Sequence, residues 1–210
     1  MTPKLVVMVK EPRPGRVKTR LAAGIGTTAA AWWFRHQTAR LLRDLRDPRW
    51  QTILAVAPDR EGLRSRVWPA DVPRWPQGRG DLGCRMGRIF RALAPGPVLI
   101  VGADIPGITP ALVRDGFRAL GDHDAVFGPA QDGGYWLIGL ARRRPVPPGL
   151  FAGVRWSSEH ALSDTIATLP DHRIAQLACL RDVDTLEDLH ALAAAGQGSR
   201  SDRAPRAACP

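Results

Sequence analysis

Leu5-Val6-Val7-Met8-Val9 is an uninterrupted run of five apolar residues, three of them β-branched. A strand that is apolar on both sides must be covered on both faces, so it belongs in the interior of a sheet. Comparable strand patterns return at Thr52–Ala57, Pro97–Val101, Asp124–Phe127 and Tyr135–Leu140. Helical patterns lie between and after them. Thr28–Asp47 carries a stripe of Phe34, Thr38, Leu41, Leu42 and Leu45, with Trp32 and Trp33 expected to pack near its start. Asp81–Ala94 places Leu82, Met86, Ile89, Phe90 and Leu93 on one face, with Asp81 as N-cap. Thr109 caps a helix that opens on Pro110 and runs to about Leu120. Ser158–Leu169 and Thr185–Ala195 complete the set, and residues 60–80 read as short elements and loop. Strands alternating with helices predict an α/β sandwich around a largely parallel sheet. Ligands in such folds bind beyond the carboxyl ends of the strands, which directs attention to the loops at 10–20, 102–107 and 129–134.

The 210 residues suit one domain over 1–195, followed by a Gly-, Ser-, Arg- and Pro-containing tail, 196–210, expected to be disordered. No run approaches the roughly 18 apolar residues of a membrane span, and charge follows the first apolar run at once, so a cytoplasmic protein is expected. Three widely spaced cysteines form no CxxC, which indicates neither a zinc site nor a disulfide framework and suits free thiols. The net charge is +10, and 27 of the 30 basic residues are Arg. No helix-turn-helix, zinc-finger or RRM-like signature accompanies that charge. The expected partner is therefore an anionic small molecule, with neither nucleic acid nor membrane, and a homodimer stays open.

Lys10-Glu11-Pro12-Arg13-Pro14-Gly15-Arg16-Val17-Lys18-Thr19-Arg20 carries five cations against one acid. Gly15 allows a sharp turn and close approach to a ligand. Lys10, Arg16, Lys18 and Arg20 suit phosphate oxygens, Arg as a fork and Lys as a point charge, and a helix is expected to start near Arg16–Lys18. A solvated basic loop explains the same composition equally well. Val98–Val101 delivers Gly102-Ala103-Asp104-Ile105-Pro106 at its end. Asp104 is placed to hold Mg²⁺ or Mn²⁺, since such ions use one or two protein carboxylates plus substrate phosphates, and small Gly102 leaves room. Asp132-Gly133-Gly134 reads as a tight turn feeding a strand, or as a carboxylate with two glycines that let a sugar or diphosphate come close. Further on, Asp184 is expected to cap the last helix with Glu187 completing a capping box, which leaves Asp182 to point elsewhere.

In this order, KEPRPGRVKTRL, QGRGDLGCRM, GADIPGIT, GPAQDGGYWLIGL, LFAGVRWSS and DVDTLEDL resemble the small bacterial GT-A-type proteins of the nucleotide-diphospho-sugar transferase superfamily, described as arsenosugar-biosynthesis-type glycosyltransferases. The basic loop is also similar to that of phospholactate guanylyltransferases. The resemblance implies a Rossmann-like GT-A fold, a three-layer α/β/α sandwich with a mixed, mostly parallel sheet. It implies nucleotide binding by the first half and a divalent metal at Asp104. GT-A enzymes commonly carry Asp-x-Asp, but Ile105-Pro106 follows Asp104 here, a single-Asp form more similar to nucleotidyltransferases. Two reactions are therefore expected. The first is metal-dependent glycosyl transfer from a nucleotide sugar, with Asp104, Asp132 and Lys18 as the catalytic group. The alternative is nucleotidyl transfer from an NTP to a phosphorylated substrate, releasing pyrophosphate.

Overall fold

The computed structural model describes residues 2–198. The apolar run becomes β1 (Lys4–Lys10), which is flanked on one side by β2 (Gln51–Ala57) and on the other by β4 (Val98–Gly102), both parallel to it. β3 (Arg74–Pro76) adds in parallel to the outer edge of β2. β5 (Ala125–Pro129) and β6 (Tyr135–Leu140) form a hairpin in which β6 turns back and pairs antiparallel with both β4 and β5. β7 (Ile174–Gln176) closes the far edge in parallel with β5, giving the order β3-β2-β1-β4-β6-β5-β7. This is the expected mixed, mostly parallel sheet. Neither three-residue edge strand has an apolar run to announce it.

Alternation along the strands divides the core. Leu5, Val7, Val9, Leu54, Leu99 and Val101 face one cluster, which contains Phe34, Leu41 and Leu42 of α2 (Thr27–Asp44) and Val113 and Leu120 of α5 (Pro110–Asp122). Val6, Ile53, Ala55, Val98 and Ile100 face the other, against Met86, Ile89 and Phe90 of α4 (Leu82–Ala92) and Ala161 of α6 (Ala161–Ala167). The three layers follow from that division. Short helices α1 (Thr19–Ile25) and α3 (Asp59–Arg64) follow the first two strands, and α7 (Leu186–Gly198) ends the described chain. Positions 196–198, expected as tail, continue that helix, and 199–210 lie outside the described residues.

Thr109 caps α5 by accepting from Leu112 N, and Asp81 caps α4 by accepting from Cys84 N, both as expected. Three expectations fail. Trp32 is 56% exposed and stacks on His36, because the buried face of α2 passes through Phe34 instead. Leu82 is 45% exposed, since it sits in the first turn of α4 over the open edge of the sheet. Ser158 bonds Arg155 O and His160 N within its own turn, and α6 starts only at Ala161 without a side-chain cap. Cys84 is a free thiol, whereas Cys179 takes part in a disulfide. Among the described residues no helix is long and apolar enough to cross a membrane.

Many arginines are spent on backbone carbonyls. Arg74 donates to Gly62 O, Leu63 O, Ser65 O and Trp68 O, Arg142 to Leu93 O and Ala94 O, and Arg143 to Leu120 O, Gly121 O and His123 O. Each satisfies orphan acceptors at a helix end or in the loop beyond it. Charged donors to carbonyls are stronger than neutral ones, so Arg74→Met should lower the unfolding free energy by about 2 kcal/mol. Arg118→Ala, which removes only a surface pair with Asp115, should leave urea unfolding unchanged.

Candidate functional site

The parallel strands end at one edge, and a cleft of about 850 Å³ opens there. β1 delivers Lys10, and the loop after it delivers Arg16, Val17 and Lys18. β4 delivers Gly102, Ala103 and Asp104. Because β6 runs backwards, the β5–β6 turn falls at the same edge and brings Asp132 and Gly134. The segment after β7 supplies Asp182 and Asp184. Of the residues expected at the site, Lys10, Arg16, Lys18, Arg20, Gly102, Asp104, Asp132 and Gly134 line the cleft, whereas Gly15 and Gly133 do not.

Lys18 sits at the centre of the geometry. Its backbone is left-handed (φ 48°, ψ 49°) immediately before α1, a conformation that costs a non-glycine residue strain and persists only where the surroundings impose it. Its side chain is 4% exposed, and its Nζ lies 2.8 Å from Asp104 Oδ2 and 2.6 Å from Asp184 Oδ1. Burial works against the ammonium's charge, yet Asp104 and then Asp184 more than offset it, so the Lys18 pKa is raised. The basic loop after β1 and the Asp104 loop after β4 are thus in direct contact. Arg20 reaches the other Asp184 oxygen at 3.4 Å. Lys10 and Arg16 are exposed at the rim and make no ion pair among the described residues.

The role of Asp184 is a correction to the sequence reading. The capping box of α7 is made by Thr185 and Asp188: the Asp188 carboxylate accepts from the backbone N–H groups of Asp184 and Thr185, and Thr185 Oγ1 accepts from Asp188 N. Asp184 is thereby released to face Lys18. Thr185-x-x-Asp188 was the signal in the sequence that would have shown this. Asp182 is half-buried, and its pKa is pushed up to about 6 by burial, then by the Asp184 and Asp132 carboxylates, with Lys18 opposing.

Glycines shape two contacts. A Cβ on Gly102 would stand 3.0 Å from Asp104 Oδ1, so the missing side chain leaves that carboxylate its place. Gly133 has φ 81°, and a Cβ there would overlap the Glu159 carbonyl oxygen at 2.2 Å. The Asp132 turn is thus seated on the 157–160 loop, and Asp132 Oδ1 accepts from Gly134 N, the tight-turn reading of the motif. The same loop holds Ser157 at φ 58° and presents Trp156, which is packed against Tyr135 and Phe151. Together with Leu82 and Met86, Tyr135 and Trp156 give the cleft an apolar wall opposite its acidic group.

The donor set suits a divalent cation of the Mg²⁺ type. Asp104 and Asp184 are 38% and 34% exposed and converge on one cationic point. Among the described residues no three acidic, His or Cys side chains gather as a complete cage. Mg²⁺ needs no such cage, because it takes one or two carboxylates and completes its shell with phosphate oxygens and water.

Asp182 gives the cleft a pH-dependent stability. A carboxyl whose folded pKa lies above its usual 3.8 contributes most when protonated, and that contribution is lost as pH rises through the window up to about 6. With EDTA present, Asp182→Asn should therefore raise Tm by a few degrees at pH 8 and leave it unchanged at pH 4. Scanning calorimetry of both proteins at the two pH values measures this.

The family model described as "Uncharacterized protein conserved in bacteria (DUF2064)" matches residues 41–158. None of the curated proteins searched matches the sequence. A crystallised protein from Desulfovibrio desulfuricans, described as a candidate nucleotide-diphospho-sugar transferase, is 30% identical over 94% of this chain and 89% of its own, with a TM-score of 0.86. The 4-diphosphocytidyl-2C-methyl-D-erythritol synthase of Anaerococcus prevotii is 11% identical over 93% of this chain and 98% of its own, with a TM-score of 0.59. A Mycobacterium tuberculosis protein, Rv0371c, crystallised with manganese, is 17% identical over 91% and 98%, with a TM-score of 0.54. At such identities the last two show a shared fold alone. With more than half of its length matched by the family model, the chain belongs to the bacterial DUF2064 family.

Proposed function

We propose that the chain is a metal-dependent glycosyltransferase that uses a nucleotide-diphospho-sugar donor, of the arsenosugar-biosynthesis type that its motifs resemble. The observation that carries this reading is the convergence of Lys18, Asp104 and Asp184 in a cleft whose rim holds Lys10, Arg16 and Arg20. The solved Desulfovibrio relative, described as a candidate nucleotide-diphospho-sugar transferase, supports it. So does the manganese found with a structure of the same fold.

In this reading the donor diphosphate lies over the basic loop. Asp104 and Asp184 would hold Mg²⁺ or Mn²⁺, which would neutralise charge on the diphosphate oxygens when bound. An acceptor hydroxyl attacks the anomeric carbon, the bond from that carbon to the diphosphate oxygen breaks, and the nucleoside diphosphate leaves. Lys10, Arg16, Lys18 and Arg20 stabilise the negative charge that builds on it. Asp132, exposed at the cleft and fixed by the Gly134 N–H, takes the acceptor's proton or positions the sugar. The wall of Leu82, Met86, Tyr135 and Trp156 lies against the apolar face of the sugar or acceptor. The substrate is a small nucleotide, and neither nucleic acid nor a membrane has a part in the reaction.

Nucleotidyl transfer is the second reading, favoured by Ile105-Pro106 standing where an Asp-x-Asp motif would carry its second acid. There the basic loop holds the β- and γ-phosphates of an NTP. Incubation with Mg²⁺ and nucleotide sugars should release nucleoside diphosphate, and EDTA should stop it. Asp104→Asn should lower kcat by on the order of 10²-fold or more. Pyrophosphate released from NTPs and sugar phosphates would select the second reading, and a lack of product in both panels would remove the enzyme assignment.

A further inference from the structure

The Lys18 ammonium lies where a metal joining Asp104 and Asp184 would have to lie. Its Nζ is 2.8 Å from Asp104 Oδ2 and 2.6 Å from Asp184 Oδ1. A Mg²⁺ ion sits about 2.1 Å from its oxygens, so it cannot bind these atoms while the ammonium remains in contact with them. The point from which the side chain springs is fixed. Val17 is buried, and α1 is held against the start of α7, where a Cβ on Gly24 would stand 2.9 Å from Leu186 Cβ. Only the four-carbon stem of Lys18 can yield. Arg16 and Lys10, without ion pairs among the described residues, mark the direction in which an anion would draw it.

We infer that Lys18 is an internal counter-ion that competes with the divalent cation for Asp104 and Asp184, and that it gives up this position when a phosphate-bearing ligand offers it another anion. The inference rests on the functional reading above and deepens it. Metal and phosphate binding are then coupled: each tightens the other by the same factor, since both require the ammonium to move. Without phosphate, the two carboxylates are kept in register by the protein's own charge.

Mn²⁺ titration followed by electron paramagnetic resonance tests this in the absence of turnover. Without any anion, Lys18→Met should bind Mn²⁺ roughly tenfold or more tightly than the wild type, in the usual range of site coupling. Lys18→Arg, which keeps the charge, should bind as weakly as the wild type and thus separates charge from a loosened structure. Circular dichroism confirms that both variants are folded. Inorganic phosphate, itself a weak Mn²⁺ ligand, should tighten Mn²⁺ binding to the wild type and leave Lys18→Met unaffected. Equal Mn²⁺ affinity in wild type and Lys18→Met, abolished in Asp104→Asn, overturns the counter-ion role and leaves the metal-dependent reading intact. No Mn²⁺ binding by any of the proteins, with or without phosphate, overturns both.

Discussion

Lys18 carries a full charge into a place with almost no water, and two carboxylates keep it there. Burial of an unpaired ammonium is costly enough that the side chain would leave or lose its proton. The pairing therefore links three distant parts of the chain. β4 must end where Asp104 reaches the cleft, the segment after β7 must cross above it, and the loop after β1 must turn through a left-handed residue. Smaller features follow from the same demand, among them the bare Cα of Gly102 beside Asp104 and the capping of α7 by Asp188 in place of Asp184.

Central strands were readable because their cover on both faces leaves continuous apolar runs such as Leu5–Val9 and Val98–Val101. The direction of β6 was not, since its residues satisfy a parallel or an antiparallel neighbour alike. β3 and β7 escaped because Arg-Trp-Pro and Ile-Ala-Gln are edge segments whose pairing is decided by distant strands. At the site, loops that follow strands were identifiable from the general rule for α/β folds, and most of the residues named there do reach one cleft. Asp184 is released because the capping box is Thr185-x-x-Asp188, one residue beyond the overlapping Asp184-x-x-Glu187 spacing. Leu82 and Trp32 show a limit of helical periodicity: it finds the apolar face of a helix but not where the layer beneath it ends.

The excess of arginine has a local cause as well. Arg74, Arg88, Arg91, Arg142, Arg143 and Arg144 all donate to main-chain oxygens in loops or at helix ends. A guanidinium can serve several carbonyls at once and stays charged while doing so, which an ammonium on a flexible stem does less well. In a chain with 19 prolines, whose ring nitrogens donate no hydrogen bond, such forks replace part of the missing main-chain pairing.

The reversal of β6 has a consequence for how this architecture can diversify. A parallel neighbour would have needed a covering helix between β5 and β6, and any change of length would have disturbed the layer. A hairpin needs only its tip. The tip at Asp132 can therefore change without disturbing the strand pairing on either side, provided that Gly133 keeps its seat on the 157–160 loop.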